Sequence, residues 1–128
     1  MNTKYKITLA VVVGVALGAA TMQGLHAQMK PKAYMVTENE VLDAAALAAY
    51  APKAVAAIEA AGGRRIAPPA GRTVAVVGET PKRVGISEWE SVEKAQAYRN
   101  SAAFKDLAQQ RDKALKTTRV YIKEGAAK

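Results

Sequence analysis

The chain reads as an α+β domain in the order strand, helix, strand, strand, helix, strand. Three observations predict it. Runs rich in β-branched and aromatic residues lie at 32–41, 73–77, 83–89 and 117–123. Apolar residues at three- and four-residue spacing fill 44–61 and 92–115. Asp43, Ser91 and Ser101 stand where helix starts need an oxygen acceptor, and Gly62-Gly63 where a helix must stop.

In the first strand, Lys32 to Val41, Tyr34, Val36 and Glu38 point one way and Ala33, Met35 and Thr37 the other. Neither side is plainly polar, so both faces are expected to be covered. Asp43 caps the helix from Ala44, because its carboxylate accepts a free first-turn amide hydrogen. Leu47, Tyr50, Ala54, Ile58 and Ala61 form the inward stripe, and Pro52 predicts a kink or short break near Ala51. Arg64 to Ala67 begins a second strand. Pro68, Pro69, Ala70 and Gly71 interrupt it and Thr73 to Val77 resumes it, a pattern tolerable only at a sheet edge.

After a turn from Gly78 to Pro81, Arg83 to Trp89 is a proline-free strand suited to the sheet centre. Ser91 caps a helix with Val92, Ala95 and Tyr98 inward and Glu93 at the positive end of its dipole. Ser101 restarts the helix, and Phe104, Leu107, Ala108, Arg111 and Leu115 continue along one side. Thr117 to Lys123 is the fourth strand. This order is the ferredoxin-like split motif. Its helices cover one face of the sheet only, and self-association is the simple way to bury the other.

Ahead of the domain, Lys4 and Lys6 precede an apolar run from Ile7 to Met22 and small or polar residues ending at Ala27. That is the layout of a secretory signal peptide over 1–27. The run is about 16 residues, short of the roughly 20 needed to span a bilayer. Cleavage after Ala27 is expected, with retention as an anchor the alternative and the only expected link to a membrane. It leaves 101 of the 128 residues (128 − 27), one small domain over 28–128 in the periplasm or secreted.

Composition excludes much chemistry. The chain has no cysteine, which removes thiol catalysis, thiolate metal sites and disulfides. The one histidine, His26, belongs to the leader, so the mature domain has no imidazole for a metal, a haem or general-base work. No cofactor is expected. Of 19 basic and 11 acidic residues, the leader takes Lys4 and Lys6 and no acid, leaving 17 against 11, or +6. Such a balance serves solubility or attracts anionic ligands. Nucleic acid is not an expected partner, because the basic residues are scattered and aromatics make up 5% of the chain.

Gly62, Gly63 and Arg64, then Glu79, Pro81 and Arg83, then Trp89, Ser91, Glu93, Ala95, Tyr98, Ser101, Phe104 and Arg111 together resemble a known family. It is the family called domain of unknown function 1330, in the dimeric α/β-barrel superfamily, and the resemblance spans about 32–125. It implies a ferredoxin-like protomer whose sheet pairs with a second copy to make a barrel. Relatives in that superfamily include cofactor-independent oxygenases, lactone isomerases and haem-degrading or chlorite-decomposing enzymes, beside many members of no known activity. Ala61, where the family often has an aromatic residue or histidine, and Pro68-Pro69-Ala70 depart from its pattern.

Several residues are candidates for a site. Arg111 shares a side with Phe104, Leu107 and Leu115, which brings it to the helix–sheet cleft. There it binds a carboxylate ligand bidentately, pairs internally with Glu79 or Glu88, or extends its head to water. Glu79 and Arg83 flank a tight turn and either pair across it or orient each other at a ligand. Glu38 and Glu88 fall on adjacent strands, as a proton-sharing pair or as ordinary rim charges. Tyr34, Trp89 and Tyr98 line an aromatic-ligand cavity or serve core and interface. Ser87 and Ser91 have no histidine partner, so neither is expected to be a nucleophile.

The sequence thus points to an exported homodimer that binds a small anionic or aromatic molecule between sheet and helices. Whether it is an enzyme stays open. A cofactor-independent oxygenase or isomerase using tyrosine, carboxylate and arginine is one alternative, and a non-catalytic protein-interaction module is another.

Overall fold

The computed structural model describes residues 30–127, so the expected signal peptide lies outside the described residues. The elements are β1 (Ala33–Val41), α1 (Ala44–Ala60), β2 (Arg64–Ala67), β3 (Val84–Trp89), α2 (Val92–Arg99), α3 (Ala102–Asp106), α4 (Ala108–Ala114) and β4 (Leu115–Glu124). The sheet runs β2-β3-β1-β4 with every neighbour antiparallel, and the helices lie on one face. This is the expected α+β, ferredoxin-like arrangement, with β1 and the proline-free β3 in the middle.

Local chemistry sets the helix ends. The Asp43 carboxylate accepts from the Ala46 amide at 2.9 Å, and the Ser91 and Ser101 hydroxyls accept from the Lys94 and Phe104 amides. At the far end of α1, the Gly62 amide donates to the Glu59 carbonyl and the Gly63 amide to Ile58. That pair of bonds needs a left-handed residue between them, and Gly62 supplies it at φ 94°.

Three expectations are corrected. α1 runs from Ala44 to Ala60 without a break at Pro52. Pro52 and Ala48 are both exposed, so the carbonyl that loses its helical partner lies on the water side. The second strand stops at Ala67, and Thr73 to Val77 does not resume it but belongs to a long connection from Pro68 to Arg83. With consecutive prolines at its start, that segment cannot keep donating to β3. The last helical stretch divides at Leu107 into α3 and α4, and Leu115 already opens β4.

Two small cores join sheet to helices. In one, Ala33, Met35, Trp89, Ala95 and Tyr98 are buried, with Ile58, Val92, Phe104 and Ile122 packed around them. Trp89 is 1% exposed, stacks on Tyr98 at 5.0 Å and donates through Nε1 to the Ser87 hydroxyl at 2.8 Å. A stacked pair of this kind contributes about 0.5–1.5 kcal/mol beyond its buried area. In the other, Tyr50, Ala114 and Leu115 are buried among Leu47, Ala54 and Leu107.

Candidate functional site

Between the two cores, the inner face of the sheet and the helices leave a partly open cavity of about 130 Å³. β1 contributes Met35, Thr37 and Asn39 to its floor, α1 contributes Tyr50 and Ala54, and Tyr98 and Phe104 close the helical side. Most of the lining is apolar. Into it come four arginines: Arg65 from β2, Arg83 at the entry to β3, Arg99 at the end of α2 and Arg111 from α4. Among the described residues, no aspartate or glutamate lines it.

Each arginine is placed by local structure. Asn39 continues the inward alternation of Ala33, Met35 and Thr37 along β1, and the bulge in the β1–β4 pairing is carried by β4, where Thr118 is the extra residue. Asn39 is buried there and accepts from the Arg83 guanidinium at 3.1 Å, while its amide donates to the Arg83 carbonyl. Arg65 pairs in register with Ser87, whose side chain faces the core, so Arg65 shares that face. Arg111 donates to the Phe104 carbonyl at 3.2 Å and lies 3.9 Å from the centre of the Phe104 ring, with Arg99 at 4.2 Å.

Burial weighs on two of these charges, Arg83 and Arg99. The Arg83 guanidinium is held below its ordinary pKa first by burial and then by repulsion from Arg65. Burial depresses Arg99 in the same way, with Arg111 adding repulsion. Burial pushes the Tyr98 phenol above its ordinary value, so it stays protonated at neutral pH. The cavity is therefore rich in donors and short of acceptors.

Of the expected site residues, Arg83, Tyr98 and Arg111 line this cavity together. Trp89 lies in the core and stacks on Tyr98. Tyr34 and Glu88 stand on the opposite sheet face, in register with each other. Glu79 is exposed in the 68–83 connection and is not the partner of Arg83, whose side chain bonds Asn39 instead. Arg111 likewise pairs with neither Glu79 nor Glu88, because the Phe104 carbonyl and ring occupy it.

Glu38 and Glu88 do not form a proton-sharing pair. Glu88 is opposite Tyr34 on β1, four residues along the strand from Glu38. Each is neutralised separately. Glu88 bonds Lys32 at 3.1 Å and Arg64 at 3.0 Å, which hold its carboxyl below the usual value, and Glu38 pairs with Arg119. Sequence reasoning missed Arg65, Arg99, Tyr50 and Asn39 as site residues. Tyr50 was on the recognised inward stripe, and strand alternation from Ser87 would have found Arg65. Nothing in the periodicity marks Arg99, which follows Tyr98 at the end of its helix.

A family model described as domain of unknown function (DUF1330) matches residues 32–126. Among solved structures, a protein of unknown function from Rhodopseudomonas palustris is similar, at 17% identity and a TM-score of 0.61. That match covers 86% of this chain and 94% of the other. A methylated form of that protein matches at 17% identity and a TM-score of 0.59, covering 84% and 90% of the two chains. At this identity the likeness concerns the fold. No curated protein matches the chain.

Proposed function

Because the chain belongs to the DUF1330 family, whose description assigns no activity, we propose a function from the cavity itself: it binds a small anionic molecule with an apolar or aromatic body. One observation carries this reading. Four arginines meet in a mostly apolar cavity that, among the described residues, no carboxylate lines. All four are half-buried and give up part of their hydration, and an anion that enters supplies charged acceptors for them. The apolar walls of Met35, Tyr50, Tyr98 and Phe104 suit the rest of the ligand.

Binding is favoured over turnover. An isomerase or oxygenase needs a base at the substrate, and the cavity's titratable groups are arginines and tyrosines. The Tyr98 phenol is moved away from the ionised form that a base requires. The test is thermal unfolding with and without benzoate, alongside native mass spectrometry of the protein purified from its host. Retention of a small acid, or a benzoate-dependent rise in Tm that Arg111→Gln abolishes, supports the reading. Absence of both rejects it.

The working form we propose is an exported homodimer. The sheet face away from the helices carries Tyr34, Val36, Val84, Ile86 and Tyr121, and the 68–83 connection exposes Val76 at 95% and Val77 at 93%. A second copy is the partner that would cover them. A stable monomer at micromolar concentration in sedimentation would reject the dimer, and a cytosolic full-length chain in fractionation would reject export.

A further inference from the structure

The four arginines fall into two groups by their anchorage. Arg65 and Arg83 belong to the sheet, while Arg99 and Arg111 belong to the helices and both lie on the Phe104 ring. Charge repulsion acts inside each group: Arg65 on Arg83, and Arg111 on Arg99. Tyr50, buried on α1, lines the same cavity as both groups. Among the described residues, no carboxylate pairs with either group. Arg83 bonds a neutral amide and Arg111 a backbone carbonyl. The ion pairs among the described residues use Glu38, Glu40 and Glu88, none of which lines the cavity.

A ligand with one negative charge answers one group and leaves the other's repulsion in place. We propose that the ligand is a small dicarboxylate, with one carboxylate at Arg65 and Arg83, the other at Arg99 and Arg111, and a short apolar spacer against Tyr50 and Tyr98. This rests on the anion-binding reading above and narrows it to a chemical class. Guanidinium pairs suit carboxylates because the planar fork matches two oxygens. Size also limits the spacer. An apolar cavity of about 150 Å³ accommodates benzene, and this one measures about 130 Å³.

The experiment is titration calorimetry on the chain purified from its host. The dicarboxylates are succinate, adipate and benzene-1,4-dicarboxylate, and the matched monocarboxylates are butyrate, hexanoate and benzoate. At least one dicarboxylate is expected to bind about tenfold or more tightly than its monocarboxylate, a gap of about 1.4 kcal/mol. Arg83→Gln and Arg99→Gln, checked for folding by circular dichroism, should each bring that dicarboxylate down to the affinity of its monocarboxylate. Arg83→Lys and Arg99→Lys should retain part of the difference. If the monocarboxylates match every dicarboxylate, or if one arginine group alone matters, the dicarboxylate proposal falls and anion binding stands. If none of the acids binds, both fall. The ligand ranking is read on the unaltered chain, so a variant that fails to fold does not obscure it.

Discussion

Gly63 lies where the end of α1 passes over Trp89, and replacing it with alanine tests the core beneath the cavity. A Cβ at this position would stand 2.6 Å from Trp89 Cζ2 and 2.8 Å from Ile58 Cγ2. Trp89 cannot yield easily, because it is stacked on Tyr98 and bonded to Ser87. Forcing a methyl group into such a site costs about 1–3 kcal/mol. The backbone works in the opposite direction: φ of Gly63 is not positive, so alanine restricts the unfolded chain and returns about 0.4–1 kcal/mol. The net loss is about 1–2 kcal/mol, which lowers Tm by roughly 5–15 °C in a domain this small.

Thermal unfolding followed by tryptophan fluorescence is the assay. The chain has one tryptophan, so the emission reports this site alone. Gly62→Ala is the control. It meets nothing within 4 Å but has φ 94°, so it should cost about 1–2 kcal/mol in backbone strain and leave the emission unchanged. Adding Trp89→Phe to Gly63→Ala removes that tryptophan, so this double variant is followed by far-UV circular dichroism and should be less destabilised than the sum of the two single variants. A Gly63→Ala protein with unaltered Tm and unaltered emission would refute the reasoning.

Asp43→Ala removes the acceptor that caps the 17-residue α1 and should cost about 1 kcal/mol in urea unfolding. The Glu88 carboxyl has its folded pKa depressed by Lys32 and Arg64, so its contribution is present above the ordinary value of 4.5 and disappears as pH falls through the folded value. Glu88→Gln should therefore lower Tm near neutrality and converge on the parent protein in acid, as read by Tm against pH. The Tyr98 phenol has its folded pKa raised, so the stability of its protonated form is full below the ordinary value of 10.0 and is lost as pH rises through the folded value. Tyr98→Phe should delete a step above that ordinary value from the tyrosine absorbance titration.

Legibility differed sharply between fold and site. Asp43, Ser91 and Ser101 each bond amides within their own first turn, so their role depends on neighbours three residues away. The Gly62-Gly63 stop is equally local. The second strand misled because β-branched residues at Thr73 to Val77 favour extension, yet propensity does not create a partner strand. Pro52 misled in the other direction, since the break it favours is avoided when the freed carbonyl faces water.

At the site, Arg111 was legible from helical spacing, whereas the Glu79–Arg83 pairing failed for a reason no local pattern carries. The partner of Arg83 is Asn39, 44 positions earlier in the chain, brought there by the antiparallel register of β1 on β3. The same register separated Glu38 from Glu88 and gave each its own cation.

By itself, the sequence determined the order of elements, their caps and the sheet's central strand, because those follow from backbone chemistry within a few residues. Only the tertiary structure decided that three arginines from β2, α2 and α4 and one from the connection before β3 share one cavity that, among the described residues, no carboxylate lines. Charge balance at a site is a sum over residues far apart in the chain, and only the fold brings its members together.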